Sequence, residues 1–313
     1  MTVLGFDTSN YTTSAAAFGD FGVRNVSRLL DVKQGELGLR QSDALFQHVS
    51  RLPQIVASLS EQGKLGEITA VAASTRPRAV EGSYMPCFLA GASLAQSMAS
   101  ALGVPFHAFS HQQGHIAAAL WSANRLDLMD KPHLAWHLSG GTTELLAVEP
   151  EGSAVRATRI GGTTDISAGQ VIDRAGKLLG LAFPAGKALD TLAQQSGKSD
   201  GFRVKLNDLS FSLSGVENQV VDFLLRGGTQ EDTAAFALFA VIDVIIRATE
   251  AAKKRYPNRE VVFSGGVASN ALLRARCAAF APVFAAPKYS TDNAAGIAVL
   301  CAREEGLCGT ADL

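Results

Sequence analysis

The chain has 313 residues with a formal net charge of −1, and its 47% hydrophobic and 18% charged residues are typical of a globular protein. This length is enough for two domains, or for one large domain with a sizeable core. Because proteins that bind nucleic acid tightly are usually basic, the charge argues against unaided RNA binding, and any RNA contact must use a local patch or a partner.

The first half of the chain is predicted to alternate strands with helices. The expected strands are residues 2–9, 14–20 and 68–75, and the expected helices are residues 44–63 and 87–103. A polar turn, Asn10–Thr13, joins the first two strands. Pro53 is expected to interrupt the first helix, and Gly103 to end the second.

The second half repeats this alternation. Residues 133–150 are predicted to form two strands around the turn Ser139–Gly141, and residues 260–280 a strand, a glycine turn and a helix. Further helices are expected at 165–181, 232–257 and 293–306. The alternation predicts an α/β protein. The similar hairpins that begin near residues 3 and 134 predict two related lobes, 1–132 and 133–313.

No apolar run reaches about 18 residues, so no membrane span is expected. The beginning, MTVLGFDTSN, lacks the basic and apolar blocks of a secretory signal. No CxxC pair occurs among the cysteines, which indicates reduced thiols in a cytoplasmic protein. These cysteines are Cys87, Cys277, Cys301 and Cys308.

Three turns combine a strand with small and polar residues: FDTSNYTTS, HLSGGTTEL and FSGGVASN. A glycine turn lets backbone N–H groups approach an anion, and a helix that starts there adds a positive dipole end. One such turn is more often plain structure. Three of them in an α/β chain favour nucleotide binding in a cleft between lobes, which is the pattern of the actin-like ATPase superfold.

His111 and His115 stand at i and i+4 in AFSHQQGHIAAAL, so on a helix their imidazoles share one face. Two such imidazoles can bind one divalent ion, although two unrelated histidines fit the spacing as well. Asp292 is the best candidate for a third ligand, and the alternative is that it caps the following helix. Two histidines and one carboxylate leave coordination positions open, which suits a substrate-binding metal.

Seven motifs follow one another along the chain: VLGFDTS, SHQQGH, SGGTTEL, AGQVIDRAGKLLGLAFPAGKAL, LSFSLSGVENQV, SGGVASNALLR and STDNAAGIA. In this order they resemble the TsaD family, also called Gcp or O-sialoglycoprotein endopeptidase-like, from residue 2 to about residue 304. The resemblance implies two RNase H-like lobes of the actin-like superfold. It also implies metal-dependent transfer of threonylcarbamoyl from threonylcarbamoyl-AMP to N6 of an anticodon-loop adenine in tRNA.

The same resemblance implies a role for individual residues. His111, His115 and Asp292 would hold iron or zinc. The phosphates or the carbamoyl-adenylate would face the turn His137, Leu138, Ser139, Gly140 and Gly141. The rest of an adenine nucleotide (threonylcarbamoyl-AMP, ATP or ADP) would lie by Asp173, Gly186 and Asn270, above the turn Gly265–Gly266.

The family's first motif usually reads ETSCDE, and here it reads DTSNYT. The resemblance puts Asp7 and Tyr11 at catalytic positions. Asp7 keeps a carboxylate, whereas Tyr11 and Thr12 replace an acidic pair. A phenol is a poor substitute for a carboxylate base at neutral pH.

The implied partners are tRNA as substrate, an adenylate-forming enzyme, a paralogous actin-like protein and a small ATPase, with no membrane. Two other functions stay open: a non-catalytic actin-like scaffold or nucleotide-sensing paralogue, and a carbamoyltransferase whose acceptor is not tRNA. The intact set His111, His115 and Asp292 favours the tRNA-modifying transferase, because a scaffold has no need of metal ligands. Tyr11 favours the other two.

Overall fold

The computed structural model describes residues 1–9, 11–32, 39–63, 65–290 and 292–308. Its strands are β1 (Thr2–Ser9), β2 (Thr12–Gly19), β3 (Gly22–Leu29), β4 (Ile68–Arg76), β5 (Phe106–Ser110), β6 (His133–Leu138), β7 (Thr143–Glu151), β8 (Ala154–Thr163), β9 (Leu206–Asn207), β10 (Ser210–Phe211), β11 (Val261–Ser264) and β12 (Val283–Phe284). Its α-helices are α1 (Gln41–Glu61), α2 (Phe88–Leu102), α3 (His111–Ser122), α4 (Ala168–Leu178), α5 (Gly186–Ala193), α6 (Ser214–Leu225), α7 (Gln230–Arg255), α8 (Ala271–Cys277) and α9 (Ala295–Glu304). The predicted α/β class is confirmed.

The chain divides into two compact units. The first comprises Met1–Lys131, Glu149–Ala157 and Lys288–Leu313, and the second comprises Pro132–Val148 and Thr158–Pro287. The division into lobes 1–132 and 133–313 stays a prediction. The compact units differ from it in the C-terminal segment, since α9 groups with the first unit.

The first unit is built on a five-stranded sheet in the order β3-β2-β1-β4-β5. β1 runs antiparallel to β2, which confirms the first predicted hairpin, and parallel to β4. Leu4 and Phe6 of β1 face a core that α1 and α2 cover. Gly5 points to the opposite face, where a Cβ atom on it would lie 2.5 Å from the backbone nitrogen of Ala298 in α9. The sheet of this unit therefore has helices on both faces.

The expected interruption at Pro53 is wrong, because α1 continues unbroken from Gln41 to Glu61 with the proline inside it. Pro53 lies on the exposed side of α1, while Leu52 and Ile55 are buried in the core. A proline cannot donate to the carbonyl four residues earlier. That carbonyl belongs to the exposed Val49, so water can satisfy it. Packing of the buried face outweighs the local cost of the proline.

The second unit is built on a seven-stranded sheet in the order β12-β11-β6-β7-β8-β10-β9. β6 pairs antiparallel with β7, which confirms the second predicted hairpin, and parallel with β11. The core includes Trp136 and most of the apolar residues of α7. Trp136 donates from Nε1 to Thr249 Oγ1 at 2.9 Å, so its one polar atom is satisfied.

Several strands have no clear signal in the sequence. β3 and β8 carry many half-exposed polar residues, and β9, β10 and β12 have only two residues each. Such segments show neither alternation nor a continuous apolar run. In the described ranges, no helix combines the length and the apolar character that a bilayer crossing needs.

Candidate functional site

The helix that bears both histidines starts at a fixed residue. Ser110 caps α3 by accepting the N–H of Gln113, and the Gln113 side chain accepts the N–H of Ser110 in return. This reciprocal capping box sets His111 as the first residue of the helix. His115 follows one turn later, so both imidazoles lie on one face, as predicted.

The third predicted ligand comes from the segment before α9. Gly296 of α9 lies directly against Gly114 of α3, and a Cβ atom on Gly296 would lie 1.8 Å from the Gly114 carbonyl oxygen. A Cβ on Gly114 would in turn lie 2.8 Å from Ile297 Cδ1. The two glycines therefore allow the helices to approach closely. This approach carries Asp292 to the histidines.

The three side chains converge on one point, and their ligand atoms all lie within 4.8 Å of one another. The two Nε2 atoms are 2.9 Å apart, and Asp292 Oδ1 is 3.2 Å from His115 Nε2 and 3.6 Å from His111 Nε2. Two ligands about 2.1 Å from one tetrahedral zinc ion stand roughly 3.4 Å apart. The cluster therefore fits one divalent ion, and two histidines with one carboxylate suit iron or zinc.

The alternative that Asp292 caps α9 is not what the structure shows. The N-cap residue is Ala294, which has no side-chain cap, and Asn293 Oδ1 accepts the N–H of Ala295 at 3.0 Å. Asp292 is thus available to the histidines. Its pKa is well below the usual value, because hydrogen bonds and charge interactions with His111 and His115 outweigh the opposing effect of burial.

A second carboxylate, Asp7, lies behind His111. Asp7 Oδ2 is 2.7 Å from His111 Nδ1, and Asp7 Oδ1 accepts the N–H of Ser9 at 3.0 Å. Burial alone would lower the pKa of His111, but Asp7 and Asp292 raise it to about 10. The raised pKa favours the imidazolium form of His111 at neutral pH when no metal is bound. Its Nδ1–H then faces Asp7, and its Nε2–H faces His115 and Asp292.

A metal ion at this site has to displace the proton on His111 Nε2. Since Asp7 and Asp292 raise the pKa of His111, a lower pH favours the proton and a higher pH favours the metal ion. We expect the apparent zinc affinity to rise about tenfold per pH unit for one displaced proton. Competition with a chelating dye at pH 6.5, 7.5 and 8.5 measures this slope. A pH-independent affinity, after correction for zinc hydrolysis, would contradict it.

The two residues predicted to be catalytic have different surroundings. Asp7 is 1% exposed, and both of its carboxylate oxygens accept hydrogen bonds. Tyr11 is 39% exposed and lies in the turn before β2, where its carbonyl accepts the N–H of Leu30. A catalytic role for either residue stays a prediction.

The predicted phosphate turn lies at the end of β6 in the second unit. Ser139 N–H donates to the Thr142 carbonyl at 2.8 Å, and Thr142 N–H donates to Ser139 Oγ at 3.0 Å. In the part of the chain that is described, the N–H groups of Gly140 and Gly141 have no acceptor, and both glycines are exposed. Two exposed, unpaired amides in one turn suit an anion.

The second glycine turn adjoins the first. Gly265 has a φ of 92°, and a Cβ atom there would lie 2.1 Å from the Leu138 carbonyl oxygen, so glycine is required for both reasons. The pairing of Ser264 with His137 brings the two turns to the same edge of the sheet. Leu138 is fully buried. Its side chain therefore cannot contact a bound nucleotide, and only its backbone could do so.

The remaining predicted nucleotide residues lie on the helices of the same unit. Asp173 Oδ1 accepts the N–H of Ala185, next to Gly186 at the start of α5. Asn270 caps α8 by accepting the N–H of Leu273. The structure therefore gives Asp173 and Asn270 local structural partners, and their contact with a nucleotide stays a prediction.

One polar group in this unit carries no signal in the sequence. Asp190 of α5 accepts the N–H of Ala271 on Oδ2 at 2.8 Å, which joins α5 to the segment of Asn270. Its other oxygen, Oδ1, is buried and has no partner among the described residues. A buried carboxylate oxygen without a partner is unusual. No motif or spacing around residue 190 indicated it.

Comparison with protein families gives a match over most of the chain. The family model of TsaD, described as tRNA N6-adenosine threonylcarbamoyltransferase, matches residues 33–299. The protein of that name from Bordetella avium is 32% identical over 337 aligned residues, covering 100% of this chain and 94% of its own. The one from Chlorobium luteolum is 32% identical, covering 96% of this chain and 92% of its own.

Solved structures with far lower identity share the fold. Full-length HypF in a phosphate- and nucleotide-bound form superposes with a TM-score of 0.62 at 13% identity, over 99% of this chain and 47% of HypF. The ROK family glucokinase from Streptomyces griseus superposes at 0.53 and 11% identity, over 96% and 99% of the two chains. These matches confirm the predicted actin-like superfold and bear on the fold alone.

Proposed function

Because the chain belongs to the TsaD family of tRNA N6-adenosine threonylcarbamoyltransferases, we propose that it transfers threonylcarbamoyl from threonylcarbamoyl-AMP to N6 of an anticodon-loop adenine in tRNA. In this reaction the adenine amine attacks the carbamoyl carbon, and the bond between that carbon and the phosphate oxygen breaks. AMP leaves with the electron pair, and the amine loses one proton. Bases of a loop can be splayed out for such an attack.

The convergence of His111, His115 and Asp292 is the observation that carries this proposal. Their ligand atoms lie within 4.8 Å of one another although Asp292 is 177 residues from His115 in sequence. A scaffold or nucleotide sensor has no use for such a set. A bound iron or zinc ion supplies a Lewis acid for a carbonyl oxygen, or an anchor for the threonyl end. His111 Nε2, His115 Nε2 and Asp292 Oδ1 would hold it.

We propose that the phosphate of the donor binds at the glycine turn of the second unit. The N–H groups of Gly140 and Gly141, which have no acceptor among the described residues, would donate to its oxygens and stabilise the charge that grows as AMP leaves. Asp173, Gly186 and Asn270 would contact the sugar or base. The buried Asp190 Oδ1, which lacks a partner among the described residues, supports a hydroxyl donor such as ribose at this place.

We further propose that the chain acts together with protein partners. A net charge of −1 gives little general attraction to tRNA, so the chain would act in a complex. By its family, the complex would contain a paralogous actin-like protein and a small ATPase. An adenylate-forming enzyme would supply the donor.

The test is restoration of the modified adenosine in cells that lack their own enzyme. We expect the wild-type chain to restore it, as measured by mass spectrometry of digested tRNA. In the purified system, removal of metal by a chelator should abolish transfer, and added zinc or iron should restore it. A tRNA with guanine at the acceptor position is the matched control and should stay unmodified.

A carbamoyltransferase with another acceptor is the second candidate. It is favoured by Tyr11, which is 39% exposed where the family usually has an acidic residue. If the protein binds metal and donor yet leaves tRNA unmodified in these cells, the acceptor is not tRNA. If the protein binds neither metal nor donor, that result favours the non-catalytic scaffold.

A further inference from the structure

The carboxylate of Asp7 is buried, and both of its oxygens have partners within the protein. Asp7 lies near the end of β1 and is 1% exposed. Oδ1 accepts the N–H of Ser9 at 3.0 Å, and Oδ2 is 2.7 Å from His111 Nδ1. The strand itself is fixed at this residue, because Ser14 Oγ of β2 donates to the Asp7 carbonyl at 3.0 Å. Among the described residues, the side chain that hydrogen-bonds the Asp7 carboxylate is that of His111.

The contact with Asp7 decides which nitrogen of His111 faces the other two ligands. A carboxylate that accepts from Nδ1 keeps the proton on that nitrogen and leaves Nε2 as the ligand atom. The same contact fixes the rotation of the ring. In that orientation, His111 Nε2 lies 2.9 Å from His115 Nε2 and 3.6 Å from Asp292 Oδ1.

His115 and Asp292 differ from His111 in where they are anchored. His115 lies inside α3, one turn from the capped end, and is 7% exposed. His111 is the first residue of that helix and its side chain is 19% exposed, so packing alone constrains it less. A buried acceptor behind the ring supplies the constraint that the helix end does not.

We propose that Asp7 is a positioning residue, which orients His111 and fixes its ligating nitrogen, and that it takes no part in proton transfer with the substrate. This inference rests on the proposed metal-dependent function. It assigns the carboxylate of the first motif to the metal centre. The departure at Tyr11 and Thr12 then leaves this role intact, since neither residue contributes to the hydrogen bonds of Asp7.

The experiment measures metal binding without tRNA or donor. The probe is Co²⁺ alone, whose visible absorption reports the ligand field, with zinc affinity from competition against a chelating dye. Asp7→Asn keeps the size of the side chain and removes its charge. After correction for proton competition at His111, we expect this variant to bind zinc about 10–100-fold more weakly than wild type, which is the usual cost of losing an outer partner of a metal-bound histidine. Its Co²⁺ spectrum should also change.

Ser14→Ala is the matched control. It removes a buried hydrogen bond to the same residue but leaves the carboxylate against His111. It should lower the midpoint of urea denaturation modestly and leave the zinc affinity and the Co²⁺ spectrum as in wild type. Equal loss of affinity in both variants would mean that Asp7 acts through the stability of β1 alone, and the inference would be overturned.

A measurement on the wild type covers the case in which Asp7→Asn does not fold. Nitrogen-15 NMR of histidine-labelled protein with zinc should show His111 protonated on Nδ1 and bound through Nε2. Binding through Nδ1 would overturn the inference while leaving the proposed function standing. Absence of zinc binding by the wild type would remove the metal-dependent function and this inference together.

Discussion

Replacing His115 by alanine is expected to abolish metal binding at physiological zinc levels, with a loss of affinity above about 100-fold. Losing the outer partner of a ligand typically lowers metal affinity about 10–100-fold. His115 is itself a proposed ligand, so its loss should lower the affinity further. Its Nε2 lies 2.9 Å from His111 Nε2 and 3.2 Å from Asp292 Oδ1, so its removal leaves two ligands. Transfer of threonylcarbamoyl to tRNA should fall by at least a similar factor, because the proposed reaction depends on the metal.

His107→Ala is the matched control for this prediction. His107 lies on β5 in the same unit, is partly exposed, pairs with Glu305 at 2.7 Å, and is not one of the three clustered ligands. Metal content by mass spectrometry and the initial rate of adenosine modification should stay near wild type. If His115→Ala retains stoichiometric metal, or if both variants lose it equally, the proposed centre is incorrect.

Replacing Gly296 by alanine is expected to destabilise the first unit and to weaken metal binding. The added Cβ would lie 1.8 Å from the Gly114 carbonyl oxygen and 2.8 Å from the backbone nitrogen of Ala118, so α9 must move away from α3. Both obstacles are backbone atoms, which cannot swing aside as a flexible side chain can. Overpacking of this kind costs about 1–3 kcal/mol, and more where the backbone cannot shift.

The movement matters for the site because Asp292 lies just before α9. A shift of about 1 Å in the position of one ligand is enough to weaken metal binding at such a centre. Urea denaturation of the metal-free protein measures the free energy of unfolding, and dye competition measures the zinc affinity. Both should fall. Unchanged values for both would mean that the close approach of the two helices is not needed.

Gly215→Ala tests the same chemical change where there is space. Gly215 lies in α6, and a Cβ atom on it meets nothing within 4 Å. Alanine is the better helix former by up to about 1 kcal/mol, so this variant should be as stable as wild type or slightly more stable. Its zinc affinity should be unchanged. The opposite signs of the two glycine substitutions separate steric packing from helix propensity.

Features of the site that depend on local spacing could be predicted from the sequence. His111 and His115 share a face because the period of a helix puts residues four apart on one side. The hairpin around Ser139–Gly141 follows from strands on either side of a glycine turn. Asp292 could be named only as a candidate, since its capping alternative was equally consistent with the local sequence.

Features that depend on register between distant segments could not be predicted in this way. Asp7 meets His111 across 104 residues of sequence, and Asp190 reaches the Ala271 N–H across 81. Nothing near residue 7 or 190 encodes these partners. Pro53 shows that a local signal can also mislead. The proline argues against a helix, but packing of the buried face of α1 outweighs it.

The alternation of strands and helices, the glycine turns and the helical face with two imidazoles follow from short-range periods along the chain, so they can be predicted without a structure. The approach of Asp292 to the histidines and the place of Asp7 behind His111 depend instead on how distant segments pack. The physical reason is packing. Gly114 and Gly296 let α3 and α9 approach until backbone touches backbone, and β1 holds Asp7 at the start of α3.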